Sequence, residues 1–140
     1  MASFVPPAPL ARAEIFVFRA PIATPVRTSF GVMHDRPAVL LRLEDADGAR
    51  GWGEAWCNFP ACGAEHRARL IQTVLVPHLL GARFETPPAA FAELSRRVEI
   101  LALQADVAGP LAQALAGVDI ALWDLAARKA GLPLHALLGD

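Results

Sequence analysis

Cys57, Cys62 and His66 are the first residues whose types and spacing could do chemistry. Cys-x4-Cys-x3-His offers three of the ligand types that zinc takes, but it lacks a fourth ligand and the close CxxC pair of structural zinc sites. Buried free thiols are the simpler reading, because cysteine packs as a small hydrophobe. Glu54 lies at a strand end between Trp52 and Trp56. Desolvation there would let it act as an acid; acceptance of hydrogen bonds from a neighbouring loop or arginine is the reading preferred. Asp119 and Asp124 are five apart, so on a helix they point in different directions and do not make a metal pair. Solvation, or a helix-to-strand salt bridge, suits them better. The histidines at 34, 66, 78 and 135 fall in four different segments. No Gly-rich phosphate loop, GxSxG elbow or HExxH occurs. The residues alone therefore assign no catalytic group and no metal ligand.

The elements that must position these residues begin with Glu14 to Ala20, a strand by its β-branched and aromatic content. Ile15 and Val17 point one way and Phe16 and Phe18 the other, so both faces are expected to be covered. Pro21 and Pro25 are expected to end regular pairing. Thr24 to Arg36 then reads as a loop of unusual apolarity, with Val26, Phe30, Val32 and Met33 beside Arg27 and His34. Apolar loops often fold over a ligand or another surface. Ala38 to Glu44 is a strand with Val39, Leu41 and Leu43 inward. Asp47-Gly48 signals a hairpin, and Arg50 to Ala55 returns. There Gly51 and Gly53 flank Trp52, which points to a bulge or close backbone approach. Trp56 to Gly63 is a second apolar loop.

Three helices follow. The first starts at Ala64, turns Leu70, Ile71, Val74 and Leu75 inward, and ends around Pro77 and Gly81. The second is capped by Thr86 with Pro87 at its first position and carries Phe91, Leu94, Val98 and Leu101 on one face. The third runs from Pro110 to Ala130, with Leu111, Leu115, Val118, Leu122 and Leu125 as its stripe and Gly131 and Pro133 as its stop. Ile120 and Trp123 lie off the stripe. A helix apolar on more than one side is usually packed on more than one side, so this one is expected to be a seam against something larger. Periodicity alone favours the centre of a small helical cluster, since patterning reports burial and not the identity of the partner. Strands first and helices after argue α+β: a three-stranded antiparallel meander followed by a three-helix cluster.

The 140 residues suit one domain, and 13 basic against 14 acidic residues give a net charge of −1. No basic field for nucleic acid follows. Gln113, Asp119 and Asp124 interrupt the most apolar helix, which argues against a membrane span. Two cysteines imply no disulfide framework. Pro6, Pro7 and Pro9 break the N-terminal stretch, so residues 1–12 read as a disordered lead and not a signal peptide. A cytoplasmic protein with free thiols is the expectation. Twelve of the basic residues are Arg, and Lys129 is the sole lysine.

The order of motifs resembles the N-terminal capping domain of the mandelate racemase and muconate lactonizing enzyme group, in the enolase superfamily. The matching stretches are TPVRTSFGV after the first strand, the hairpin ending GWGEAW, the loop WCNFPACGAEHRA, and above all ALAGVDIALWDLAARKAGLPLHALLGD. In that last stretch Val118 stands where Ile is usual, Ala127 or Arg128 where Gly is usual, and Asp140 where a terminal Gly is common. The resemblance covers the chain from about Glu14 onward, and residues 13–140 are the implied domain. Family members continue for roughly another 200 to 250 residues as an eight-stranded barrel, which is absent here. The resemblance implies that the barrel holds the Mg²⁺ carboxylates and the bases that remove a proton next to a substrate carboxylate.

What the resemblance carries onto this chain is a cap. Two loops close over the barrel mouth and shape the pocket, here Arg27, Thr28, Ser29, Phe30, Gly31 and Val32, then Trp56, Asn58 and Phe59, with Glu54 behind the second loop. Their apolar character implies a small carboxylic acid with an apolar or aromatic portion. The implied function is the capping portion of a Mg²⁺-dependent racemase, cycloisomerase or dehydratase, inactive alone, with the barrel as its partner and a homo-oligomer as the assembly. The alternative is a stand-alone α+β interaction or self-association module without catalysis.

Overall fold

The computed structural model describes residues 7–29 and 31–139. Strands β1 (Leu10–Thr28), β2 (Gly31–Asp45) and β3 (Arg50–Ala55) form one antiparallel sheet in the order β1-β2-β3. The helical half follows as α1 (Gly63–Leu70), a π-helical turn (Ile71–Leu75), α2 (Val76–Leu79), α3 (Pro87–Gln104), α4 (Ala108–Ala130) and a short α5 (Leu134–Leu138). The α+β order read from the sequence is the order observed.

The first two strands are longer than expected. Leu10 to Arg12, placed in a disordered lead, belong to β1, and Leu10 is buried. The segment Thr24 to Arg36, read as a loop, is mostly a two-stranded arm. Pairing shifts between Pro21 and Val26 and then resumes as Val26 with Met33, Arg27 with Val32 and Thr28 with Gly31. Proline breaks central ladders because it lacks a donor, but an edge strand tolerates it. β1 is an edge strand, and β2 reaches Pro37 beyond the span that β3 pairs, Val39 to Glu44.

One face of the sheet is the core. Val39, Leu41 and Leu43 are fully buried, as the alternation predicted, and Ala55 joins them from β3. The other face is not covered as expected. Phe18 is 55% exposed and Trp52 39%, and Phe16 stacks between them with centroids 6.3 and 5.8 Å away. Arg42 lies over the Trp52 ring and bonds Glu14.

The apolar stripe of α4 lies on the core face. Leu111, Leu115, Val118, Leu122 and Leu125 are all buried, together with Ala114, Ala121 and Ala126. The stripe is satisfied within this chain, as the reading of α4 as the centre of a helical cluster requires. Its off-stripe side, with Ala112, Ala116 and Ile120, is exposed, which is the side a seam against a further body would use. Of the two readings at Gly51 and Gly53, the bulge is absent, since the register to β2 is unbroken, and the close backbone approach is what seats the helix. A Cβ at Gly51 would lie 2.1 Å from the Ala121 carbonyl oxygen, and one at Gly53 would lie 2.0 Å from that of Gly117. Asp124 adds a helix-to-strand bond by accepting the Trp52 backbone N–H at 2.8 Å and the Arg128 Nε at 2.8 Å. Gly131 ends α4 at φ 66°, and the Leu132 N–H returns to the Ala127 carbonyl at 3.0 Å. Glycine enters that left-handed conformation without a Cβ penalty.

The first helical stretch stops at Leu79, between Pro77 and Gly81 as expected, with Pro77 itself inside the last turn. Without an N–H, Pro77 cannot continue the usual ladder. The turn before it widens to π over Ile71–Leu75, and α2 carries on to Leu79. In α3 the inward face is Ala90, Leu94 and Val98; Phe91 and Leu101, expected on it, are 42% and 38% exposed. The Thr86 cap forms as predicted, with the Ala89 N–H donating to Thr86 Oγ1 at 3.2 Å. Thr86→Ala is expected to cost about 1 kcal/mol, seen as a lower urea midpoint with an unchanged slope.

Candidate functional site

The arm and the second apolar loop converge at one end of the sheet. Thr28, Ser29 and Met33 from the arm meet Trp56, Asn58, Phe59 and Pro60 around an open recess of about 560 Å³. Its walls are predominantly apolar, with the Thr28 and Ser29 hydroxyls and the Asn58 amide as the polar groups. Thr28 Oγ1 donates to the Gly31 carbonyl at 3.2 Å and so closes the tip of the arm. A second, smaller recess of about 210 Å³ adjoins it, lined among others by Arg19, Val32, Asp35, Asn58 and Phe59. The Phe59–Pro60 peptide bond is cis.

Five residues singled out in the sequence therefore line the larger recess: Thr28, Ser29, Trp56, Asn58 and Phe59. Val32 lines the smaller one. Arg27 is exposed on the arm, paired through its backbone with Val32, and lines neither. Glu54 is exposed on β3 opposite Leu40 and lines neither. Phe30 lies outside the described residues. Met33 and Pro60 complete the larger wall. Their apolar segments were legible, but their place in the wall depends on the arm's pairing register.

Beneath the two recesses Arg19 ties three segments together. Its Nε and Nη2 donate to Glu65 on α1 at 2.7 to 3.0 Å, Nη1 donates to Asp35 on β2 at 3.1 Å, and Nη2 donates to the Ala61 carbonyl at 2.7 Å. Glu65 holds the Arg19 guanidinium above its ordinary value against the opposing effect of burial, and the same bond holds the Glu65 carboxyl below its own. No sequence motif marked Arg19, because its partners lie 16 to 46 residues away.

The buried-thiol reading holds for Cys57 and fails for Cys62, which lies at the exposed end of the second loop. Burial pushes the Cys57 thiol up. His66 Nδ1 faces Arg67 Nη1 at 3.4 Å, and the buried Arg67 donates through Nε to Gln113 Oε1 at 2.7 Å, linking α1 to α4. Among the described residues no group of three or more His, Cys, Asp or Glu is placed to hold a metal ion. Asp119 is half-buried, and desolvation pushes its carboxyl up. No helix among the described residues is long and apolar enough to cross a membrane.

A three-stranded meander backed by helices, with two segments gathered on an apolar recess at one end, defines an α+β domain. The family model for the mandelate racemase / muconate lactonizing enzyme N-terminal domain matches residues 12–139, and the chain belongs to that family. A mandelate racemase/muconate lactonizing enzyme from Bordetella bronchiseptica RB50 is 56% identical, with a TM-score of 0.85 over 96% of this chain and 34% of its own. A racemase from Streptomyces coelicolor A3(2), solved with bound magnesium, is 30% identical with a TM-score of 0.72 over 86% of this chain and 32% of its own. The o-succinylbenzoate synthase of Geobacillus stearothermophilus is 29% identical over 122 residues, 84% of this chain and 30% of that enzyme. The chain thus spans about a third of the length of these relatives.

Proposed function

We propose that this chain is the capping portion of a Mg²⁺-dependent enzyme that abstracts a proton next to a carboxylate, as a racemase, cycloisomerase or dehydratase. Its part is to supply the walls that select the substrate. The observation that carries the reading is the convergence of Thr28, Ser29, Met33, Trp56, Asn58, Phe59 and Pro60 on one open apolar recess. Such walls exclude water and orient a ligand, and apolar linings with a few placed polar groups are the usual composition of small-molecule sites. They favour an acid with an apolar or aromatic portion. In this proposal Mg²⁺ and the proton-abstracting bases sit in the barrel that the resemblance implies; among the described residues no group of three or more His, Cys, Asp or Glu is placed to hold a metal ion. Arg27 and Glu54 are assigned no contact with the substrate.

The test is proton exchange of α-substituted carboxylic acids in D₂O with Mg²⁺, followed by NMR. The isolated chain is expected to give none. The chain joined to a barrel domain of this family is expected to exchange an aryl or branched acid, and Phe59→Ala in that protein is expected to raise KM about tenfold or more with kcat little changed. Exchange by the isolated chain, or the absence of any barrel in the reading frame beyond Asp140, would overturn the proposal.

A further inference from the structure

The two recess walls come from segments distant in sequence, the arm of 24–36 and the loop of 56–62. Neither recess wall is held by a continuous sheet, since pairing between β1 and β2 is broken from Pro21 to Val26 and the loop follows the last residue of β3. Something must fix their separation. The geometry points to Arg19 as a positioning residue that clamps the arm, the second loop and α1 into one arrangement, and thereby sets the shape of the recess.

The guanidinium is used as a three-way fork. One edge takes both Asp35 oxygens, at 3.1 and 3.3 Å, and so grips the base of the arm. The other takes both Glu65 oxygens and anchors the group to α1. Nη2 still reaches the Ala61 carbonyl at 2.7 Å, within the loop that carries Asn58 and Phe59. Arginine's planar, rigid donors suit such simultaneous bonds, and a lysine cannot reproduce them from a single nitrogen. Two carboxylates, on different elements, converge on the one cation, so removing it releases both. Arg19 stands on β1 opposite Pro37, at the level where the arm departs from the sheet. It also lines the smaller recess together with Asp35 and Phe59.

This inference rests on reading the recess as a substrate wall, but the clamp can be tested with no substrate present. Amide hydrogen exchange, resolved by segment, is measured on the 140-residue chain and on its variants. Arg19→Gln is expected to speed exchange about tenfold or more in both 24–36 and 56–62, leaving 39–43 and 114–125 unchanged. Arg19→Lys keeps the charge but is expected to leave at least one of the two segments fast. Asp35→Asn is expected to loosen the arm alone, and it remains informative if Arg19→Gln fails to fold. Unchanged exchange at 56–62 in Arg19→Gln, full protection restored by Lys, or an arm indifferent to Asp35→Asn would each overturn the clamp. If the clamp holds while Phe59→Ala leaves KM unaltered in the barrel-bearing protein, the substrate reading fails and the positioning role stands.

Discussion

Gly53→Val is expected to abolish cooperative folding. The added Cβ alone would sit 2.0 Å from the Gly117 carbonyl oxygen and 2.8 Å from the Ala121 backbone nitrogen, and the branched methyls would add to the overlap. The obstacle is helix backbone, which no rotamer change can move aside. The helix and the sheet would have to separate, exposing Leu41, Val118 and Leu125. Overpacking a core by a methylene typically costs about 1–3 kcal/mol when side chains can shift. Here the loss should exceed that range and consume much of the roughly 5–15 kcal/mol typical of a folded domain. Circular dichroism in urea and one-dimensional NMR dispersion would report it. Gly109→Ala is the control. That residue lies in α4, where an added Cβ would meet nothing within 4 Å, and alanine there should be neutral or stabilise by up to about 1 kcal/mol. A cooperative transition retained by Gly53→Val would mean that α4 does not depend on this close approach.

The close approach was legible because GWG in a strand has few other uses, and so was the α4 stripe that fills the gap it leaves. The hairpin at Asp47-Gly48, the Thr86 cap and the Gly131 stop were also legible, since each is a local device whose residues lie within one turn of each other. What the sequence hid was set by context. Pro21 and Pro25 read as strand breakers, yet at a sheet edge they only shift the register. Pro77 and Gly81 marked the helix end correctly at Leu79, but nothing marked the π turn that precedes Pro77. Phe91 and Leu101 matched a helical period, but the face that packs is the one with the small Ala90, which lets α3 approach. Of the recess, the two segments and their apolar character were legible. The Arg19 clamp that joins them was not, because a long-range ion pair leaves no spacing signature. Arg27, a more conspicuous arginine in the arm, lines neither recess.

The same blindness applied to Asp45, whose expected effect on stability is the other large one. Asp45 lies at the end of β2 and is 1% exposed. It accepts the backbone N–H groups of Asp47 and Ala49 at 3.0 Å and of Ala8 at 3.2 Å. Lys129, the sole lysine, donates to it at 2.6 Å from the last turn of α4 and to Asp47 at 2.8 Å. The pair therefore bolts the β2–β3 turn to the helix end. Burial pushes the Asp45 carboxyl up, but the bonds from Lys129, Ala49 and Ala8 outweigh it and hold the group below the usual carboxylate range. Hydrogen bonds to Asp45 and Asp47 hold the Lys129 ammonium above its ordinary value. Lys129→Met is expected to destabilise by about 3–5 kcal/mol, because it strands a buried carboxylate, whereas Asp45→Asn with Lys129→Met should recover part of that loss. The two titrations carry opposite signs. The Asp45 contribution is present above its unfolded value of about 3.9 and is lost as pH falls through the lower folded value. The Lys129 contribution is complete below about 10.4 and is lost as pH rises through the higher folded value. Urea midpoints taken from about pH 2 to 11 should thus fall at both ends for the parent chain, with the acid limb shallower in Asp45→Asn. An acid limb in Asp45→Asn as steep as the parent's would show that the acid dependence comes from other carboxylates, such as Glu65 at the Arg19 clamp.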